Sequence, residues 1–269
     1  MKKVQAFKAE LPERLQKFAR YDEIEIDNPD QWRTACRNYL NRLDFVLKAV
    51  EGSFPKSEGI RVAEVGCAQA NAGLKLAEKG YQVHAYDISG DYLEYSKAKY
   101  ESGAMEWIPG NFLESESNSV YDAVLMGELV EHCAYPERIV QKAAEKLAPG
   151  GTLVLTTPNG ARWLNSLPTF SRFAAPESRK ALEVRQFGPD GEDHLFLFTL
   201  AEFKGLAPAG MEIIGSGYIG GSLVLNSTIA RLLKSFPVFV FDGLNRVVAK
   251  TPLLNRWTCH NLGLVLKKL

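Results

Sequence analysis

The sequence predicts an α/β chain whose core is a doubly wound, mostly parallel sheet. Between residues 60 and 157, short β-branched and apolar runs alternate five times with segments of helical spacing. Glycine or proline punctuates the changes, the pattern of successive βα units. The second run ends in an acidic residue, at the kind of strand end where open α/β sheets bind ligands.

Ile60 to Val65 reads as the first strand, followed by the loop Gly66-Cys67-Ala68-Gln69-Ala70, small at every position except Gln69. Asn71 to Lys79 carries Leu74, Leu76 and Ala77 at helical spacing, and Gly80 stops that helix. Tyr81 to Tyr86 is the second strand, with Asp87 at its end. A helix over 91–100 leads to a third strand, Met105 to Pro109, and then to Gly110-Asn111-Phe112. Tyr121 to Met126 is the fourth strand; Pro136 to Leu147 is a helix closed by Pro149-Gly150-Gly151; Thr152 to Thr157 is the fifth strand.

Residues 1–50 read as a helical cap, in which Gln31 to Val50 repeats apolar residues every three or four positions and Asp30 is placed as the N-cap. Beyond Ala161 the pattern is irregular, with Trp163, Phe170, Phe173 and Phe187 interleaved with Arg162, Arg172 and Arg179. So long a loop reads as a lid, over 161–198. Thr199 then caps a helix from Leu200. Met211 to Ile214 begins a sixth strand and Asn261 to Leu266 is a seventh. The domain reading is therefore a cap at 1–50, a core at 51–215, an apolar insertion at 216–260 and a last core strand at 261–269. Residues 216–258 are read as a lid or a homodimer surface, with a membrane-surface helix the weaker reading.

Lys plus Arg equals Asp plus Glu, at 32 each, so there is no basic field to hold a nucleic acid. Cys36, Cys67, Cys133 and Cys259 lack C-x-x-C spacing, which points to a reduced, cytoplasmic protein. The charged start is unlike a signal peptide, and no apolar run approaches the ~18 residues of a membrane span.

Asp87 follows Gly66 by about twenty residues, the interval at which a strand-end carboxylate grips ribose hydroxyls. Glu64 narrows the ligand further. A carboxylate just before the loop would repel a pyrophosphate but suits an amino group, so S-adenosylmethionine (SAM) is favoured over NAD or a nucleotide sugar. Glu64-x-Gly66-x-Ala68-x-Ala70 resembles motif I of the class I SAM-dependent methyltransferases, with alanine at its second and third glycines. Glu128-Leu129-Val130-Glu131-His132 and Pro149-Gly150-Gly151 are similar to two further signatures of that class. Asn41 to Val46, and the stretch from His194 through Thr199 to Glu202, resemble segments of its ubiquinone-pathway O-methyltransferases.

This resemblance implies a Rossmann-like seven-stranded sheet in which the sixth and seventh strands pair antiparallel. It implies that Glu64 holds the amino group of SAM, Arg42 its carboxylate, Asp87 its ribose and Asn111 its adenine edge. Ile88 and Phe112 would flank the adenine, and Gly66, Cys67, Ala68 and Glu128 complete the cofactor contacts. The expected reaction moves a methyl group to a small molecule (a phenol, quinone precursor, sugar or natural product), leaving S-adenosylhomocysteine (SAH). Oxygen is the expected acceptor. An N-methyltransferase on the same fold and a SAM sensor without catalysis are the alternatives.

A hydroxyl acceptor needs a base, and histidine suits that task near neutral pH. His194 in the lid and His132 beyond the fourth strand are the candidates, with Glu131 beside them; His84 and His260 read as structural. Glu128, Glu131 and His132 also form a cluster able to hold a divalent cation, against which stands the simpler reading that Glu131 and His132 cap the next helix and hydrogen-bond the loop.

Overall fold

The computed structural model describes residues 1–29, 34–116, 118–163, 165–186, 194–220, 240, 243, 247–248, 250–252 and 254–269. Seven strands form one sheet: β1 (Arg61–Val65), β2 (Gln82–Asp87), β3 (Ala104–Pro109), β4 (Tyr121–Gly127), β5 (Leu147–Pro158), β6 (Met211–Ile219) and β7 (Asn261–Lys268). Their order is β3-β2-β1-β4-β5-β7-β6. The first five are parallel, and β7 runs antiparallel between β5 and β6. The expected β6–β7 pairing is present, with β6 on the outside.

Alternation along each strand explains why both faces are covered. Ala63, Val65, Val124, Met126, Leu153, Leu155, Leu264 and Leu266 face one core, closed by Ile139, Val140 and Ala143 of α5 (Pro136–Lys146). Val62, Ala123, Leu125, Val154 and Val265 face the other. That second core is closed by Leu43, Val46 and Val50 of α2 (Thr34–Ser53) and by Leu76 and Ala77 of α3 (Asn71–Glu78).

Several boundaries depart from the sequence reading. Ahead of α2 come short 3-10 turns, α1 (Gln16–Asp22) and a π-helical turn, Glu23–Asp27, instead of continuous helix. Val4, Phe7, Leu11, Leu15 and Phe18 of this stretch bury themselves against Tyr95 of α4 (Gly90–Lys99). Asp30 and Trp32 lie outside the described residues, as does Phe187. Leu147 already pairs with Tyr121, so 148–151 bulge from the start of β5 and do not merely close a helix.

The segment read as an irregular lid contains a 3-10 turn, Phe170–Phe173, and α6 (Pro176–Gln186). Phe196 and Phe198 are fully buried and Phe170 and Phe173 pack against them, so these rings belong to the core. Trp163, by contrast, is 65% exposed. Thr199 and Glu202 make a reciprocal capping box at α7 (Leu200–Lys204), as the sequence predicted for that start. β6 continues to Ile219, past the expected start of the insertion, and most of 221–253 lies outside the described residues. Among the described residues no helix is long and apolar enough to cross a membrane.

Candidate active site

At the carboxyl rim of the parallel strands, the loop after β1 turns through three left-handed residues: Gly66 (φ 65°), Ala68 (φ 45°) and Ala70 (φ 53°). A side chain at Gly66 would be strained by the positive φ and would push on the end of the Leu129 side chain, 2.7 Å from its Cβ. The two alanines hold the same conformation against the Cβ penalty that glycine escapes. Ala68→Gly should therefore stabilise the fold by about 0.5–1 kcal/mol. A rise in thermal midpoint checks this, and an unchanged or lower midpoint contradicts it.

Asp87, buried at the end of β2, fastens this loop. Its Oδ2 accepts from the Ala68 N–H at 2.8 Å and its Oδ1 from the Ser89 N–H at 2.8 Å. Burial pushes its carboxyl pKa upward. Cys67 is buried and donates its backbone N–H to Tyr86 O at 3.0 Å. Glu64 lies behind the loop: its Oε2 accepts from the Gly73 N–H of α3 at 2.9 Å, and a side chain at Gly73 would collide with it. Burial raises Glu64 to about 7.

Arg42 of α2 reaches the rim, yet its Nη1 is 3.0 Å from Glu128 Oε2 and its guanidinium lies over the Tyr39 ring. Asn261 Nδ2 donates to the same Glu128 oxygen at 2.8 Å. Glu128 sits at φ 54°, a conformation that costs a non-glycine residue and clusters at functional turns. Its Oε1 is buried without a hydrogen-bond partner among the described residues.

The residues expected at the adenine divide. Ile88 is 68% exposed beside Asp87, but Phe112 is 3% exposed and edge-on to Tyr86, so it belongs to the core. Asn111 spends its carbonyl on the Leu113 N–H at 3.1 Å and its amide on Glu114 at 2.9 Å, capping a short turn.

The two candidate bases come together. The His132 and His194 rings are 4.8 Å apart, and Glu131 Oε1 lies 3.8 Å from His194 Nε2. Glu131 is fully buried, and its other oxygen accepts from the Thr157 hydroxyl at 3.0 Å. Burial and then the Glu128 charge hold its pKa well above the ordinary value. Glu131, His132 and His194 each offer a ligand atom within 4.8 Å of the others, so the structure replaces Glu128 with His194 in the expected metal-capable cluster.

His194 also borders a cavity of about 320 Å³ beside Asn38, Asn159, Arg162, His260 and Asn261. His260 is thus at the site, whereas His84 is structural, bonded to the Tyr121 hydroxyl at 3.0 Å. Sequence reasoning missed Asn159, Asn261 and the site position of His260. The Pro158-Asn159-Gly160 turn, at the carboxyl end of β5, was the available signal.

It also missed a buried network below the loop. Lys99 Nζ donates to Asp22 Oδ2 at 2.7 Å and to Asn71 Oδ1 at 2.5 Å. Asn71 Nδ2 donates to Asp22 at 2.9 Å and to the Tyr39 hydroxyl at 2.6 Å, while Tyr95 donates to Asp22 at 2.8 Å.

The sequence matches the family described as a methyltransferase domain over residues 32–209. It is 29% identical over 153 residues to the ubiquinone biosynthesis O-methyltransferase of Leptothrix cholodnii, covering 55% of this chain and 63% of that protein. It is 28% identical over 152 residues to the enzyme of the same name from Idiomarina loihiensis, covering 55% and 61%. The match thus spans less than two thirds of either relative. Magnesium protoporphyrin IX methyltransferase from Synechocystis, solved with SAH, superposes with a TM-score of 0.58 at 12% identity, over 94% of each chain. A putative S-adenosylmethionine-dependent methyltransferase from Listeria monocytogenes gives 0.56 at 15% identity, over 85% of this chain and 97% of that one. At such identities the structural likeness establishes the fold.

Proposed function

Because this chain belongs to the methyltransferase domain family, we propose that it is SAM-dependent and methylates an oxygen of a small-molecule acceptor. The observation that carries the cofactor reading is Glu128 Oε1, a buried carboxylate oxygen with no partner among the described residues. Such an acceptor is costly to leave unmet and suits an ammonium donor. We assign the amino group to it in preference to Glu64, whose carboxylate is turned beneath α3. Asp87 keeps lone pairs for ribose hydroxyls beyond the two backbone donors it already serves. Arg42 would exchange part of its pairing with Glu128 for the carboxylate of the ligand.

When bound, SAM would supply an electrophilic methyl that an acceptor lone pair attacks in line, the S–CH3 bond breaking and its electron pair leaving with the sulfur of SAH, so positioning carries much of the catalysis. His194 borders the cavity and His132 does not, which favours His194 as the group that takes the hydroxyl proton. The names of the relatives support oxygen as the accepting atom.

Calorimetry with SAM, followed by assay of SAH formation over a panel of phenols, sugars and amines, tests this reading. Turnover on phenols or sugars is expected. Turnover on amines alone makes the protein an N-methyltransferase, and binding without turnover makes it a sensor. Asp87→Ala should weaken SAM binding by about one to two orders of magnitude, since it removes a doubly bonded acceptor. Unchanged affinity would overturn the cofactor placement.

A second reading follows from the convergence of Glu131, His132 and His194. These three would hold a divalent cation that orients a diol and polarises its oxygen. Loss of turnover in EDTA, restored by magnesium or manganese, is the result expected of it. Full activity in EDTA excludes it.

A further inference from the structure

We propose that the acceptor carries an anionic group, a carboxylate or a phosphate, and that Arg162 and His260 receive it in the cavity beside His194. The inference rests on the methyltransferase reading and adds the substrate class. Among the described residues the wall contains no acidic residue, although it holds a guanidinium, two imidazoles and several amides. Among the described residues Arg162 Nε is buried without a partner, and no carboxylate pairs with this side chain. His260 Nδ1 is likewise buried and without a partner among the described residues. Arg162 is close enough that its charge, after burial, drives His260 down to about 4. The imidazole is therefore neutral near pH 7, with no charge to repel the arginine.

A half-buried cation without a counter-charge is costly, and an incoming anion removes that cost. The arginine fork matches carboxylate and phosphate oxygens in pairs.

The site is built in advance. Asn159, almost fully buried at the end of β5, donates to Arg256 O and Cys259 O at 2.9 Å each. Its Oδ1 accepts from the Ala161 N–H at 3.0 Å, and its backbone carbonyl accepts from the Arg162 N–H at 3.2 Å. The turn carrying Arg162 is thereby locked to the segment just before β7, which carries His260 at its end. Leu167 and Leu197 supply an apolar wall, and His194 stands on the same cavity. A hydroxylated acid held by its anion at Arg162 would present its hydroxyl toward His194.

The test titrates salicylate, its neutral analogue salicylamide, and phenyl phosphate into the full chain, with and without saturating SAH. SAM binding is measured first on the same sample. Salicylate or phenyl phosphate should bind about tenfold or more tightly than salicylamide, the scale of a charge-assisted pair. Which of the two binds better tells carboxylate from phosphate. Arg162→Gln should abolish the preference for acids while SAM affinity stays at the wild-type value; Arg162→Lys should keep part of it. His260→Gln should reduce the preference and serves if the Arg162 variants do not fold. Equal binding of salicylamide, an acid preference that survives Arg162→Gln, or no binding of either acid at millimolar concentration each overturns the proposal. Failure of SAM to bind strikes the methyltransferase reading instead and is seen in the first titration.

Discussion

Lys99→Met should cost the fold about 3–5 kcal/mol, the penalty for stripping one partner from a buried ion pair. Lys99 and Asp22 are 1% and 4% exposed, and their charges meet at 2.7 Å beneath α3. Without the ammonium, Asp22 keeps Asn71 and Tyr95 as donors but loses its only ion-pair partner among the described residues. Methionine fills most of the volume, so the loss is electrostatic and owes little to a cavity. The double variant Asp22→Asn with Lys99→Met should recover a large part of the stability, because it removes both charges together. Denaturant unfolding measures both, and a single-variant loss below about 1 kcal/mol would show the pair to be weakly coupled to folding. Asn71 opens α3 directly after the left-handed loop, so the same network fixes where that loop ends.

His194→Ala should lower turnover about 10²-fold or more with SAM affinity unchanged, the usual scale of a lost general base. The reason is position: the imidazole borders the cavity while Glu131, fully buried, stands 3.8 Å from its Nε2. In its ionised form a carboxylate in that place would steady the positive charge the ring acquires. Single-turnover rates at saturating SAM separate chemistry from binding. If the rate survives, His194 is not the base. His132, with its ring 4.8 Å away, then inherits the role.

The sheet was legible in the sequence because alternation along a strand and glycine at its end are local properties. Gly66, Gly80 and the Thr199 cap announce themselves within a few residues. The strand-end carboxylate Asp87 was legible for the same reason, being placed by strand and interval. Partnerships were not. Asp22 and Lys99 are 77 positions apart, and nothing near either says that the other will neutralise it. Phe112, Phe196 and Phe198 looked like ring-stacking or lid residues because aromatic composition is the same in a core and at a rim; only packing distinguishes them. Arg162 read as one basic residue among several in an irregular stretch. Its importance comes from Asn159, which pins the turn to the chain just before β7.

The place of β7 between β5 and β6 has a kinetic consequence. Until residues 261–268 dock, β5 and β6 each expose an open hydrogen-bonding edge, the feature that draws stray strands into aggregates. The strand that closes both edges pairs with one about a hundred residues earlier. Refolding from denaturant should therefore show a slow step in which this strand inserts, and single-phase kinetics without one would contradict it. A peptide copying β7 should compete for the gap only while the chain is still assembling.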